Sequence, residues 1–244
     1  MDRSILLEKT TRELSGLKDF SELASKGVKL VVDAMEGQGV VASCIFKIHQ
    51  DKNELWAYAY SAKKYKLVEN LIKTKFSDLK VSLDKIDNLT VRTVVRNKIE
   101  QSNKLKDFSA GTIPDKVVDL VQQTIQANLI IAFPIHHKSG KVIGAVMFAL
   151  QQTHLEPEQF SMLESFANQL GLAYSNVFAY ERLMDTYKRD LSKLGTASDQ
   201  SDIPSIKFTL RITQKENAKL ESLVNKSEKK KTKAEIIREL IDGA

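Results

Sequence analysis

A chain of 244 residues, 42% hydrophobic and 28% charged, has room for one medium domain plus an appendage, and its balance is that of an ordinary globular protein. Its longest apolar runs, such as Val142–Leu150, fall well short of the roughly 20 residues that cross a bilayer, and the mixed charges of MDRSILLEKTTRELSG exclude a signal peptide. The net charge of +6 is uneven: residues 203–244 hold ten Lys/Arg against six Asp/Glu, so +4 of it falls in the tail and hints at a polyanionic partner.

In chain order, residues 4–35 carry helical apolar spacing (Ile5, Leu6, Leu14, Leu17, then Phe20, Leu23, Val28, Val31, Val32), punctuated by Gly37 and Gly39. VVASCIFKI, 40–48, and ELWAYAYS, 54–61, are β-rich runs joined by HQDKN, which predicts an antiparallel hairpin. Cys44, the single cysteine, has no partner for an internal disulfide; it reads as a small core residue of a protein in the reducing cytoplasm. Trp56, Tyr58 and Tyr60 alternate along one strand face, where they serve the core or line a pocket. A lysine-rich helical stretch covers 62–75. The region 76–112 shows only short apolar pieces and a small strand near Ile99–Ser102. Pro114 opens a helix, PDKVVDLVQQTIQA. LIIAFPIHH, 129–137, and KVIGAVMFAL, 141–150, are strands around the turn Lys138–Ser139–Gly140, and a long helix runs from Pro157 to about Leu194. This order predicts an α+β domain over 1–190, an antiparallel sheet with helices on one face and at its ends.

The runs ANLIIAFPIHHKSGKVIGAVMFAL and EPEQFSMLESFANQLGLAYSNVFAYERL resemble the closing hairpin and C-terminal helix of GAF domains, and KDFSELASKGVKLVVDAM resembles their opening helix. The resemblance spans roughly 15–185, with the related PAS architecture as the competing reading. It implies a domain for dimerisation or for sensing a small molecule, in a family whose ligands vary and whose members in some cases bind nothing. The cyclic-nucleotide pattern and the bilin-attachment cysteine of the family are absent.

The long helix carries a seam of Leu163, Phe166, Leu170, Ala173, Val177, Tyr180, Met184, Tyr187, Leu191 and Leu194, in steps of three and four. A period of 3.5 favours a coiled pair, so Val177, Tyr180, Met184, Tyr187, Leu191 and Leu194 are expected to form the seam of a homodimer. Residues 191–204, rich in Gly, Ser, Asp and Pro, read as a flexible linker.

The tail, 205–244, starts with a strict alternation: Ile206, Phe208, Leu210 and Ile212 on one face, Lys207, Thr209 and Arg211 on the other. Thr213 with Glu216, and Thr232 with Glu235, are capping-box pairs that start two short helices. One strand and two helices cannot bury a core alone. Two copies can, by pairing their strands into a ribbon whose exposed face carries Lys207, Thr209 and Arg211. Such a ribbon fits the major groove. SIKFTLRIT and TKAEIIRELI resemble the ribbon-helix-helix family of Arc-type repressors. That resemblance implies that Lys207, Thr209 and Arg211 read base edges, and that the helix start at Thr232, Lys233 and Ala234 grips a phosphate. Lys230 and Lys231, in a turn where the family often has glycine, add phosphate-seeking charge.

No nucleophile–base pair, metal motif or nucleotide loop occurs. The adjacent His136 and His137 point to opposite faces of a strand. The sequence therefore predicts no enzyme, no metal and no evident cofactor, and leaves a small-molecule ligand of the body open. The expected partners are duplex DNA and a second copy, without a membrane. The alternative is a DNA-scaffolding accessory protein of partition or relaxosome type, whose body docks another protein.

Overall fold

A computed structural model describes the backbone of residues 3–195 and the side chains of residues 8–189. The chain divides into two units, and the first, Met1–Leu194, contains the sheet and its covering helices. The apolar stretch at the N-terminus is two helices, α1 (Arg3–Leu14) and α2 (Phe20–Ala34). Asp19 separates them because its carboxylate accepts the Glu22 N–H at 2.8 Å and caps α2. Strands β1 (Val40–His49) and β2 (Glu54–Ala62) form the expected hairpin, and α3 is shorter than expected, Tyr65–Ile72.

The region 76–112, with its short apolar pieces, contains a 3-10 turn at Phe76–Asp78 and then β3 (Lys80–Ser82), α4 (Leu89–Arg96), β4 (Glu100–Ser102) and α5 (Lys106–Ser109). After α6 (Asp115–Ile125) come β5 (Leu129–His136), β6 (Val142–Leu150) and the long α7 (Pro157–Gly195). The β5–β6 turn closes through the His137 N–H on the Lys141 carbonyl at 2.8 Å, with Gly140 at φ 82°, a conformation that suits glycine.

All neighbouring strands are antiparallel, in the order β3-β2-β1-β6-β5-β4. Alternation along β5 and β6 sorts the core into two layers. Ile131, Phe133, Val146, Phe148 and Leu150 pack with α2 and α7, whereas Ile130, Ala132, Met147 and Ala149 pack with Val68 of α3, Phe108 of α5 and Val121 of α6. Helices thus cover both faces of the sheet, not one face and the ends. The reason is that both faces of the two central strands are apolar, and each needs its own cover.

The first half of the long helix packs on its own sheet, and Val177 goes with it. Leu163, Phe166, Leu170, Ala173 and Val177 are buried in the core of their own chain. Val177 is therefore removed from the dimer seam, since a partner cannot reach a residue at 0% exposure. Tyr180 and Met184 are half-buried and Tyr187 is 47% exposed; the side chains of Leu191 and Leu194 lie outside the described residues. Among the described residues no helix is long and apolar enough to cross a membrane.

Candidate functional site

The hairpin of β1 and β2 contains a bulge that decides what faces the interior. Ile45 pairs with Ala59 but Phe46 pairs with Ala57, so Tyr58 is an extra residue without an opposite. The alternation flips at Tyr58. Trp56, opposite Lys47, and Tyr58 turn toward α2 and α7, while Tyr60, opposite Cys44, turns toward α3 and α6. The expected single stripe of Trp56, Tyr58 and Tyr60 is split between the two faces.

On the α2 side the stripe is filled by the chain itself. The Lys47 ammonium lies over the rings of Phe20 at 4.7 Å, Tyr174 at 5.3 Å and Tyr58 at 5.5 Å. Burial lowers its pKa, against the opposing fields of Glu181 and Asp19. Trp56 is stacked on His49 at 3.9 Å and flanked by the ammonium groups of Lys80 at 4.0 Å and Lys52 at 4.4 Å. The aromatic faces of these clusters are occupied by the protein's own cations, and the cavity beside Phe20 and Tyr174 is only about 10 Å³.

The α3–α6 side holds a cavity of about 100 Å³. Its floor is Ala42, Cys44, Phe46, Met147 and Ala149 of the sheet, and its roof comes from α3, α5, α6 and the Asn88–Thr90 start of α4. Nearly all of this surface is apolar. Four polar side chains on it are already engaged. Asn88 accepts the N–H of Thr90 at 2.9 Å and of Val91 at 3.2 Å, and it donates to the Ala110 carbonyl at 3.0 Å. Thr90 donates to the Phe108 carbonyl at 3.0 Å, Thr112 to that of Ser109 at 2.7 Å, and Ser109 to that of Leu105 at 3.3 Å. Among the described residues of this lining the buried hydroxyls of Ser43 and Tyr60 have no partner in hydrogen-bonding geometry. Burial pushes the pKa of Tyr60 up, and its polar interaction with the Tyr65 hydroxyl, then Glu69 and Cys44, add to the rise.

Burial pushes the Cys44 thiol up to about 12. It is therefore protonated at neutral pH and unsuited to thiolate chemistry. The folded state keeps a proton that the unfolded chain releases above its ordinary pKa of 9.0. The contribution is constant below that value and is lost as pH climbs toward 12, by about 1.4 kcal/mol per pH unit. Urea midpoints of the wild type and Cys44→Ala, taken at about pH 8 and about pH 10.5, should show a shallower alkaline loss in the variant. Parallel losses would remove Cys44 as the cause.

His136 and His137 engage separate partners, Asn97 at 2.7 Å and Ser139 at 2.9 Å. Among the described residues no group of three His, Cys, Asp or Glu side chains converges on one point. Lys207, Thr209, Arg211, Lys230, Lys231, Thr232, Lys233 and Ala234 lie outside the described residues.

No family model matches the sequence, and no curated protein matches it either. Solved structures do match. The GAF domain of an Acinetobacter phosphoenolpyruvate-protein phosphotransferase superposes with a TM-score of 0.53 at 15% identity, over 75% of this chain and 97% of its own. The body has a GAF-like fold. The GAF domain of a phosphoenolpyruvate-protein phosphotransferase from Coxiella burnetii gives 0.52 at 14% identity, over 76% of this chain and 98% of its own. The free methionine-R-sulfoxide reductase of Neisseria meningitidis, solved with its substrate, gives 0.51 at 7% identity, over 72% and 90%. The last shares the GAF-like fold with an enzyme, and identities this low speak for the fold alone. The cavity was poorly legible in the sequence, because much of its roof is built from the short elements of 76–112 and its wall from a bulge.

Proposed function

We propose that the chain is a homodimeric DNA-binding regulator, with a GAF-like body that dimerises and senses a small molecule and a ribbon-helix-helix tail that enters the major groove. The DNA half of this reading rests on one feature of the sequence: Lys207, Thr209 and Arg211 alternate with the apolar residues of IKFTLRI, with no acidic residue among them. The sensing half is supported by the GAF-like fold and by an apolar cavity under short helices. Dimerisation is supported by apolar side chains exposed on α7, with Leu183 at 66% and Tyr187 at 47%.

The test is a salt titration of binding to random-sequence duplex DNA by the full chain and by a chain ending at Leu194. Salt-sensitive binding that disappears on truncation supports the reading, because neutralised phosphates release counterions. No binding by the full chain at low salt overturns it. Arg211→Ala is expected to lose about 1–3 kcal/mol for a selected site while keeping most affinity for random DNA. Unchanged affinity for the selected site overturns base readout by Arg211.

A second reading, a DNA-scaffolding protein that recruits a partner through its body, is favoured by a different observation. Leu67 of α3, Val95 of α4 and Leu120 of α6 are each about half exposed on the face away from α7.

A further inference from the structure

The cavity under α3–α6 specifies a class of ligand by what its lining lacks. Lys80 is the one charged residue in that lining, and its ammonium stands 4.0 Å over the Trp56 ring. A phosphate or carboxylate inside would therefore be desolvated with no countercharge, which is prohibitive. The volume, about 100 Å³, is somewhat below that of an engineered apolar cavity of about 150 Å³ that stays dry and admits benzene. With the Asn88, Thr90 and Thr112 side chains of the roof engaged, two hydroxyls of the lining are left, that of Ser43 on the sheet and that of Tyr60, which has the Tyr65 hydroxyl beside it. Tyr60, on the wall that faces the groove between α2 and α3, is the one placed to meet a polar group on its way in, as donor or acceptor.

A route inward is built into the same wall. An open groove of about 730 Å³ runs between α2 and α3, lined by Ser25, Lys29 and Asp33 on one side and by Tyr65 and Glu69 on the other. Groove and cavity have Tyr60, Ala62, Ile72 and Phe76 in common, so these four side chains form the partition between them. Tyr60 is held there by Tyr65, stacked at 4.7 Å, and by Phe76 at 4.8 Å. The outer support is slight: α3 has eight residues with only Val68 buried, and the β2–β3 ladder spans three residues. Segments with so few buried contacts open locally at low cost.

We infer that the cavity receives a compact, uncharged, chiefly apolar molecule of about benzene size with one hydrogen-bonding group, which enters from the α2–α3 groove past Tyr60 and Phe76 and meets the Tyr60 hydroxyl. This rests on the reading of the body as a sensor. It deepens that reading by excluding charged metabolites and nucleotides from this cavity.

The probes are benzene, phenol and cyclic GMP, titrated into the full chain by calorimetry, with the Met147 methyl resonance reporting on the cavity floor. Benzene and phenol should both bind and shift Met147, phenol the more tightly by about tenfold at most, the worth of one hydrogen bond. Tyr60→Phe should keep benzene binding and erase the preference for phenol. A phenol preference that survives in Tyr60→Phe overturns the role of Tyr60. Cyclic GMP binding that shifts Met147, with neither aromatic probe bound, overturns the ligand class and leaves the sensor reading standing. Failure of all three probes to shift Met147 overturns the ligand class and also removes the cavity's support for sensing.

Discussion

Phe148→Ala is expected to cost about 3–5 kcal/mol of folding stability. Phe148 lies on a central strand, opposite Ser43 of β1 and Ile131 of β5, and it is fully buried. Its ring meets Phe133 edge-on at 5.8 Å and Phe166 of α7 at 6.1 Å. Truncation removes the contact that joins sheet to helix and leaves a hole. Phe133 and Phe166 belong to different elements, each fixed by its own backbone pairing, so the hole closes only in part. For a domain of this length the loss corresponds to a melting temperature lower by roughly 10 °C. Urea and thermal unfolding followed by circular dichroism measure it. Leu120→Ala, at a half-exposed position, serves as the control and should stay within about 0.5 kcal/mol of wild type. A loss below about 1 kcal/mol for Phe148→Ala would contradict a core centred on this ring.

Gly171→Ala sets two effects against each other. Alanine in a helix interior is better than glycine by about 1 kcal/mol, so propensity alone predicts a gain. A β-carbon at this position would overlap the His136 carbonyl oxygen and stand 3.1 Å from its carbon and 3.3 Å from its nitrogen. These are backbone atoms at the end of β5, and no rotamer change can move them. One turn further on, the Ser175 hydroxyl donates to the Gly171 carbonyl at 2.8 Å and accepts the Lys138 N–H at 3.0 Å. Pushing α7 away from the β5–β6 turn would lengthen that bond as well. Overpacking costs about 1–3 kcal/mol and more where backbone must shift, so the steric effect wins and Gly171→Ala destabilises. Gly16→Ala, where the added carbon has open space within 4 Å, should change little. A more stable Gly171→Ala protein would show that α7 does not approach the turn this closely.

The two hairpins, the turn at Gly140 and the length of α7 were legible because they depend on local rules. Alternating apolar residues, a glycine at positive φ and helical spacing leave their marks within a few residues of sequence. Asp19 shows the limit of even that reading. One carboxylate capping α2 divides an apolar stretch that otherwise passes for a continuous helix.

Other features had no local mark. A bulge is a mismatch between two strands, so nothing within ELWAYAYS announces that Tyr58 lacks an opposite and that Tyr60 faces the cavity. The elements of 76–112 are three to eight residues long, too short for a period to emerge. Val94 and Phe108 are buried because neighbouring elements cover them, not because of their own spacing.

The amino-acid sequence by itself determined the two hairpins, the extent of α7 and the concentration of charge in the tail. Tertiary structure alone decided that helices cover both faces of the sheet, that Tyr60 closes an apolar cavity, and that the seam of α7 is spent on its own core as far as Val177. The physical reason is the same in each case. Hydrophobic periodicity says which side of an element avoids water, but burial is satisfied equally by the chain's own sheet or by a second copy. Only the packing of the whole domain selects between them.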